Sequence, residues 1–357
     1  SNTNAIGTKI TAFIGEEKLY LEHIPIRGFQ STVDPRPNIG LGKIKTVDSI
    51  FIEWPNDELT ILRDVKVNQT IRLVQENAVL KKEVPYVSKQ QIFAEFNNPS
   101  ILNYRHIENP FVDFDRDRLV FHMLSSEGPC ICKGDMNGDN REDLYIGGSS
   151  GTPGSLFFQQ PNGQFVSVQK PLFDIDKDSE DTDCAIFDAN GDGKNDLYVA
   201  SGSNEVSNSS SSLADRLYFN TSNGKLVKSN QILPANQFES TSTVKPADYD
   251  LDGDLDCFLI NHNLAGYQRK EAAVMRAARD YNAGDKLFRN DKGHFTDVSE
   301  QAGIKGNPLG FGLGVMVSDV NQDGFPDIYV TNDYVEDDYL YINQRNGTFK
   351  ESLEESM

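Results

Sequence analysis

The sequence predicts an all-β protein: a small N-terminal β module followed by an array of four-stranded repeats. Three observations carry that expectation. An aspartate opens each of four nine-residue loops with oxygen side chains at positions 1, 3, 5 and 9. An apolar stretch follows every loop at once: Leu144-Tyr145-Ile146, Leu197-Tyr198-Val199, Cys257-Phe258-Leu259-Ile260 and Ile328-Tyr329-Val330. Further on, every unit has alternating apolar residues, a Gly or Asn-Gly turn and another short apolar run, the mark of a β-hairpin.

The loops place Asp135, Asn137, Asp139 and Asp143; Asp188, Asn190, Asp192 and Asp196; Asp248, Asp250, Asp252 and Asp256; and Asp319, Asn321, Asp323 and Asp327. Ca²⁺ takes about six to eight oxygens and accepts mixed carboxylate, amide and carbonyl ligands. Alternate residues of a turning loop point the same way, so positions 1, 3 and 5 can converge on one ion. A carbonyl near position 7 and the position-9 carboxylate would close the shell. Gly193, Gly253 and Gly324 at position 6 suit a tight turn with positive φ, and Asn140 in the first loop also tolerates that region. The spacing is shorter than an EF-hand, and no helical pattern flanks it. The expected cofactor is therefore about four structural Ca²⁺ ions.

The loops start at 135, 188, 248 and 319, a recurrence that points to a propeller or solenoid. Each unit reads as strand, loop, strand, hairpin, strand. Four strands per unit is the content of a propeller blade. The hairpins are Ser155–Phe165, Arg216–Leu226, Lys286–Phe295 and Tyr339–Phe349.

In the N-terminal module, Lys9–Phe13 and Lys18–Leu21 alternate around Gly15-Glu16-Glu17 as a hairpin, and Ser49–Trp54 and Thr70–Val74 alternate again. Trp54, the only tryptophan, is expected as a core anchor. Gly28, Gly40 and Gly42 read as turn glycines, since no helix follows to make a phosphate cradle. Residues 77–128 read as a linker with a partial blade, including a strand over Leu119–Leu124.

With those residues in view, two family resemblances emerge. The repeats resemble the FG-GAP or VCBS type of calcium-binding β-propeller, related to integrin α-chains. Arg27-Gly28-Phe29-Gln30-Ser31, Asp34-Pro35-Arg36, Gly40-Leu41-Gly42, Val47-Asp48-Ser49, Glu53-Trp54-Pro55 and Asn68-Gln69-Thr70 resemble the UnbV/ASPIC domain. That pairing is similar to proteins of cartilage acidic protein type and to Bacteroidetes-type surface proteins. The chain departs from the pattern at Asn56-Asp57, where Ser-Gly is usual, and in showing four clear blades where seven are usual. The expected architecture is a β-sandwich-like module over 1–76, a linker over 77–128, and a propeller over 129–357. The ring is either incomplete or joined by a fifth blade from 77–128. Open blade edges should be covered by the module or a second subunit.

The formal charge is −20, from 34 basic and 54 acidic residues, and thirteen of the carboxylates sit at loop ligand positions. What remains argues against nucleic acid, which needs basic patches. No apolar run approaches a membrane span. Loops of this kind in extracellular modules bind Ca²⁺ at about 10⁻⁴–10⁻³ M, which favours an extracellular, cell-surface or periplasmic setting. No signal peptide opens the chain, and Ser1-Asn2 reads as a trimmed or mature end. Cys130, Cys132, Cys184 and Cys257 are expected as small buried side chains, with cross-strand pairing open.

Function is expected in the segments that break the blade pattern. His262–Gly284 carries Arg269, Lys270, Arg276 and Arg279, either as a capping insertion or as a basic lid over an acidic glycan or peptide. Ser203–Ser212 reads as a flexible loop, and Tyr334, Glu336, Asp337 and Asp338 as a solvated acidic face. The five histidines match no metal or triad spacing, and no catalytic constellation is found; Glu127 and Asp285 are carboxylates outside the loops. The sequence thus reads as a recognition or adhesion protein for a protein or glycan on a propeller face. Self-association through blade edges is a further expectation. The alternatives are a polysaccharide lyase or hydrolase on a propeller and a structural part of a surface assembly.

Overall fold

The computed structural model describes residues 4–25, 34, 36–56, 58–78, 80–81, 100–116, 123–126, 128–207, 209–222, 224–231, 233, 240–263 and 272–356. Two units divide the chain, Ser1–Phe96 and Asn97–Met357.

In the first unit the strands are β1 (Lys9–Ile14), β2 (Glu17–Glu22), β3 (Thr46–Glu53), β4 (Glu58–Lys66) and β5 (Leu80–Lys81). They form one antiparallel sheet in the order β2-β1-β3-β4-β5. The β1–β2 hairpin is tied down where Asp48 Oδ2 accepts the Gly15 N–H at 2.6 Å. Ala12, Val47, Ile52 and Trp54 are buried. The indole Nε1 of Trp54 donates to Thr60 Oγ1 at 2.9 Å, which lets a core tryptophan keep its polar edge satisfied. Thr70–Val74 is not a strand: it is irregular and leads into a 3₁₀ turn at Gln75–Asn77. β4 already pairs with β3 and β5, so the alternating pattern at 70–74 has no free strand edge there. The Arg27–Ser31 motif and Gly28 lie outside the described residues.

The second unit holds four antiparallel four-stranded sheets, each a meander in chain order. Blade 1 is β6 (Ile131–Gly134), β7 (Asp143–Ile146), β8 (Ser155–Gln159) and β9 (Phe165–Val168). Blade 2 is β10 (Asp181–Phe187), β11 (Asp196–Ser201), β12 (Arg216–Ser222) and β13 (Lys225–Lys228). Blade 3 is β14 (Thr241–Ala247), β15 (Asp256–Asn261), β16 (Lys286–Asp291) and β17 (His294–Asp297). Blade 4 is β18 (Gly312–Ser318), β19 (Asp327–Asn332), β20 (Tyr339–Asn343) and β21 (Phe349–Glu351). The first strands β6, β10, β14 and β18 succeed one another side by side, and β18 makes no comparable contact with β6 among the described residues.

Blades 2 and 3 have a neighbouring blade on each face. Every residue of β11 and β15 is therefore buried, with apolar runs at Leu197–Ala200 and Cys257–Ile260 between polar ends. Met136, Tyr145 and Leu156 of blade 1 meet Leu197, Val199 and Tyr218 of blade 2. Tyr198 and Leu217 meet Leu259 and Phe288 of blade 3. Phe258 and Leu287 meet Ile328, Val330 and Tyr341 of blade 4. A repeated polar clamp joins the same junctions. Asn220 Nδ2 donates to the Met136 carbonyl (2.7 Å), Asn290 Nδ2 to Ala189 (2.8 Å), and Asn343 Nδ2 to Tyr249 (2.8 Å). Each accepting carbonyl belongs to position 2 of the preceding blade's loop. Gly224, in the hairpin of blade 2, has φ +78°, and a Cβ there would meet Phe158 and the Met136 carbonyl.

Residues 100–113 run along blade 1. The Phe165 N–H donates to the Ile101 carbonyl at 2.6 Å, and the Tyr104 ring packs edge-on against Phe157. Of the expected strand over Leu119–Leu124, residues 119–122 lie outside the described residues, and Leu124–Ser126 is a 3₁₀ turn.

Candidate metal centres in the blade loops

All four acidic loops sit between the first and second strands of their blades, and they share one hydrogen-bond scheme. The position-1 carboxylate accepts the N–H of positions 5 and 6: Asp188 takes Asp192 N (3.1 Å) and Gly193 N (2.7 Å), and Asp319 takes Asp323 N (2.9 Å) and Gly324 N (2.8 Å). Asp135 and Asp248 do the same. Position 3 accepts from position 5, through Asn137, Asn190, Asp250 and Asn321. Position 5 accepts from position 7, through Asp139, Asp192, Asp252 and Asp323. Position 6 has positive φ in every loop: Asn140 +61°, Gly193 +83°, Gly253 +100°, Gly324 +89°.

Position 9 is the first residue of the second strand and is buried in all four blades. One oxygen accepts the position-2 N–H; the other accepts a third-strand N–H. For Asp196 these are Ala189 N (3.0 Å) and Asn220 N (2.7 Å); for Asp256, Tyr249 N (3.1 Å) and Asn290 N (2.8 Å). Asp143 and Asp327 repeat the pattern. These aspartates brace the blade, a role the spacing alone did not reveal.

The loops differ in counter-charge. Asp139 pairs with Arg141, Asp192 with Lys194 (2.8 Å) and Asp323 with Arg345 (3.1 Å). Asp252 has no such partner among the described residues. In that third loop Asp248, Asp250 and Asp256 bring carboxylate oxygens within 4.8 Å of one another, the one such acidic group among the described residues. Burial pushes Asp256 up to about 7, with repulsion from Asp250 and Asp252 adding to it, and burial lifts Asp196 to about 6. Burial and the neighbouring Asp252 also raise Asp250. A crowded set of hard oxygens whose repulsion is offset only in part, by Arg289 near Asp250, fits Ca²⁺, and Asp248, Asp250, Asp252 and Asp256 are the side chains that would hold it.

The basic insert is engaged internally where it is described. Arg276, on the helix Ala272–Ala277, donates Nε to Glu336 Oε2 (2.8 Å) and a terminal nitrogen to the Val335 carbonyl (2.9 Å). Arg279 donates to the Ile304 carbonyl and packs over Gly306. Arg269 and Lys270 lie outside the described residues. The expected solvated face at Tyr334–Asp338 is corrected in part. Glu336 is buried, accepting from Tyr339 Oη (2.6 Å) and Asn307 Nδ2 (3.1 Å), because Arg276 and these donors replace its hydration. The cysteines are free thiols; Cys184 and Cys257 are buried, and Cys130 and Cys132 are half-buried against the junction of blades 1 and 2.

Sequence reasoning missed a second repeated aspartate, just before the third strand. Asp215 accepts from Tyr198 Oη (2.7 Å) and Ser201 N (2.8 Å), and Asp338 from Tyr329 Oη (2.8 Å) and Asn332 N (2.8 Å). Asp285 holds the same place, but Phe258 stands where the tyrosine would be. Its oxygens are buried with only the Asn261 backbone N–H facing them, and burial pushes it up to about 7. Aligning the repeats on the hairpins would have shown this position.

Residues 1–80 match the family described as ASPIC and UnbV. Residues 135–199 and 188–259 match the FG-GAP-like repeat, and 311–342 the FG-GAP repeat. No curated protein matches the chain. Among solved structures, a lectin of Agrocybe aegerita, described as recognising non-reducing terminal N-acetylglucosamine, is similar at 17% identity with a TM-score of 0.37. The match covers 61% of this chain and 49% of that one, so the chain spans about half the lectin's length. No helix among the described residues is long and apolar enough to cross a membrane. The chain carries an ASPIC and UnbV domain at its N-terminal end and FG-GAP repeats in its propeller blades.

Proposed function

We propose that this is a calcium-binding recognition or adhesion protein of an extracellular, cell-surface or periplasmic setting, with Ca²⁺ structural in the blade loops and a protein or glycan partner on a propeller face. The observation that carries the reading is the convergence of Asp248, Asp250 and Asp256 in a loop whose hydrogen-bond scheme recurs in all four blades. Bound Ca²⁺ would supply the positive charge that these carboxylates lack. The third loop, with four aspartates and no basic partner on Asp252, should bind most tightly. A binding role rather than catalysis is supported by Asp285, whose raised pKa has a structural origin in the repeat. Glu127, the other carboxylate outside the loops, lies outside the described residues.

The test is a thermal melt of the chelated protein with and without millimolar Ca²⁺, with bound metal counted in parallel. At millimolar Ca²⁺ and a Kd of about 10⁻⁴–10⁻³ M, a folded-state ligand stabilises by about 0.4–1.4 kcal/mol per site, so several sites together give a readable shift. A large upward shift with several ions per chain supports the reading. No shift and no bound metal overturns it.

A further inference from the structure

The blades carry a second oxygen-rich cluster at the ends remote from their loops, where blades 1 and 2 meet the 106–113 segment. Asp113 is fully buried; it accepts from Ser125 and from Asn204 Nδ2. Glu180, immediately before β10, is 8% exposed and accepts the Ser150 N–H through Oε2 at 2.6 Å. Glu205 accepts Asn109 Nδ2 through Oε2 at 2.6 Å. Glu108 stands at the rim, 2.5 Å from His106 Nε2, whose ring in turn meets Tyr104 Oη through Nδ1.

Four carboxylates thus share one corner. No lysine or arginine pairs with any of them among the described residues, and the donors they use are amides, hydroxyls and one imidazole. Asn204 Oδ1 is buried there without a hydrogen-bond partner, and the Glu205 carboxylate has only Asn109 and the Ser150 hydroxyl beside it. Asn204 is 2% exposed, so water does not satisfy it from bulk. Burying an acceptor unpaired costs about 1–3 kcal/mol, and more beside other anions. Burial pushes the Glu180 carboxyl up to about 8, with Glu108, Glu205 and Asp181 adding repulsion. Burial also raises Glu205, with Asp113 and Glu108 contributing.

We infer that this corner is a binding site for a hard divalent cation of the Ca²⁺ type, separate from the blade loops and held by Glu180, Glu205 and the Asn204 amide oxygen. A mixed set of carboxylate and amide oxygens, completed by water, is what such a cation accepts. The ion would relieve the repulsion and give the Asn204 amide oxygen a partner. It would also join the 106–113 segment, held through Asn109 and Asp113, to the first two blades.

The experiment compares the full chain with the isosteric double variant Glu180→Gln/Glu205→Gln, counting Ca²⁺ bound at equilibrium and recording melts in chelator and in millimolar Ca²⁺. The variant is expected to bind one ion fewer per chain, whatever number the loops hold. It should melt at the same temperature as the parent or higher in chelator, because two repelling charges are gone, and lower than the parent in Ca²⁺. Equal ion counts overturn the inference, as does an equal loss of melting temperature in both conditions. Should the double variant not fold, Glu205→Gln alone, at a half-buried position, goes through the same comparison with the same deciding outcomes.

Discussion

Asp285→Asn should stabilise the protein, and increasingly so as pH rises. Burial, with repulsion from Glu336 adding to it, holds Asp285 at about 7 against an ordinary value of 3.8, whereas Asp215, which accepts a tyrosine hydroxyl, is raised by burial only to about 6. A carboxyl raised in the folded state keeps its proton there after the unfolded chain has lost it. Stability therefore falls as pH rises from about 4 to about 7, and the whole penalty is present above that. At about 1.36 kcal/mol per pH unit the interval amounts to about 4 kcal/mol at pH 8. Asparagine keeps the shape and the acceptor facing the Asn261 N–H while removing the charge. With about 2–4 °C per kcal/mol for a domain of this size class, the gain at pH 8 is on the order of 10 °C, and at pH 5, where only about 1.6 kcal/mol of the penalty is present, less than half of that. The assay is a melt of parent and variant at both pH values in chelator, where titration of the loop aspartates is common to the two proteins and cancels. A variant that shifts equally at pH 5 and pH 8, or that loses stability as pH rises, refutes the reasoning. Phe258→Tyr is the complementary arm: a hydroxyl in the Tyr198 and Tyr329 position should lower the Asp285 pKa and flatten the parent's pH dependence.

Asn290→Ala removes donations to the Ala189 and Leu255 carbonyls and the acceptor of the Gly293 N–H. It should cost about 2–4 kcal/mol, read as a lower melting temperature, with hydrogen exchange accelerating first at the junction of blades 2 and 3. Arg216→Met breaks the buried pair with Asp181 and leaves that carboxylate with only the neutral Tyr145 hydroxyl and Gly148 N–H donors, a loss of about 3–5 kcal/mol by denaturant titration. Trp54→Ala should cost the first unit about 3–5 kcal/mol while the second keeps its transition in circular dichroism, since Trp54 lies in Ser1–Phe96. Asp250→Asn should weaken Ca²⁺ binding at the third loop and lower the Ca²⁺-induced melting shift, with little change in chelator.

The blades were legible because each rule is local and repeated four times. An aspartate at position 1 meets its partners within five residues, and each hairpin closes around its own turn. The strand Glu58–Lys66 was not legible: Glu58, Arg63, Asp64 and Lys66 break its alternation, and Asp64 with φ +50° interrupts the regular pairing with β3. The roles of Arg276 and Glu336 were hidden for another reason. Their contact spans sixty residues, and composition read one as a lid and the other as a solvated charge. The position-9 aspartates look like ligands in the sequence, and only the fold shows that both oxygens also hold backbone N–H groups. The corner of Glu108, Glu180 and Glu205 is assembled from three distant segments, so no spacing rule announces it.

The asparagine clamps give the array a direction. Every clamp reaches backward, from the third strand of one blade to position 2 of the loop before it, so each loop is locked by its successor and never by its predecessor. Met136, Ala189 and Tyr249 are each 1% exposed under that lock, whereas Val320, at the same place in blade 4, is 55% exposed. Among the described residues the fourth loop is thus the one without a clamp. Loosening there costs no clamp, while loosening any earlier loop also breaks the hold of the next blade. Nearest-neighbour arrays open from their least-supported unit. Fraying should therefore run from blade 4 toward blade 1, each freed loop unlatching the one before it.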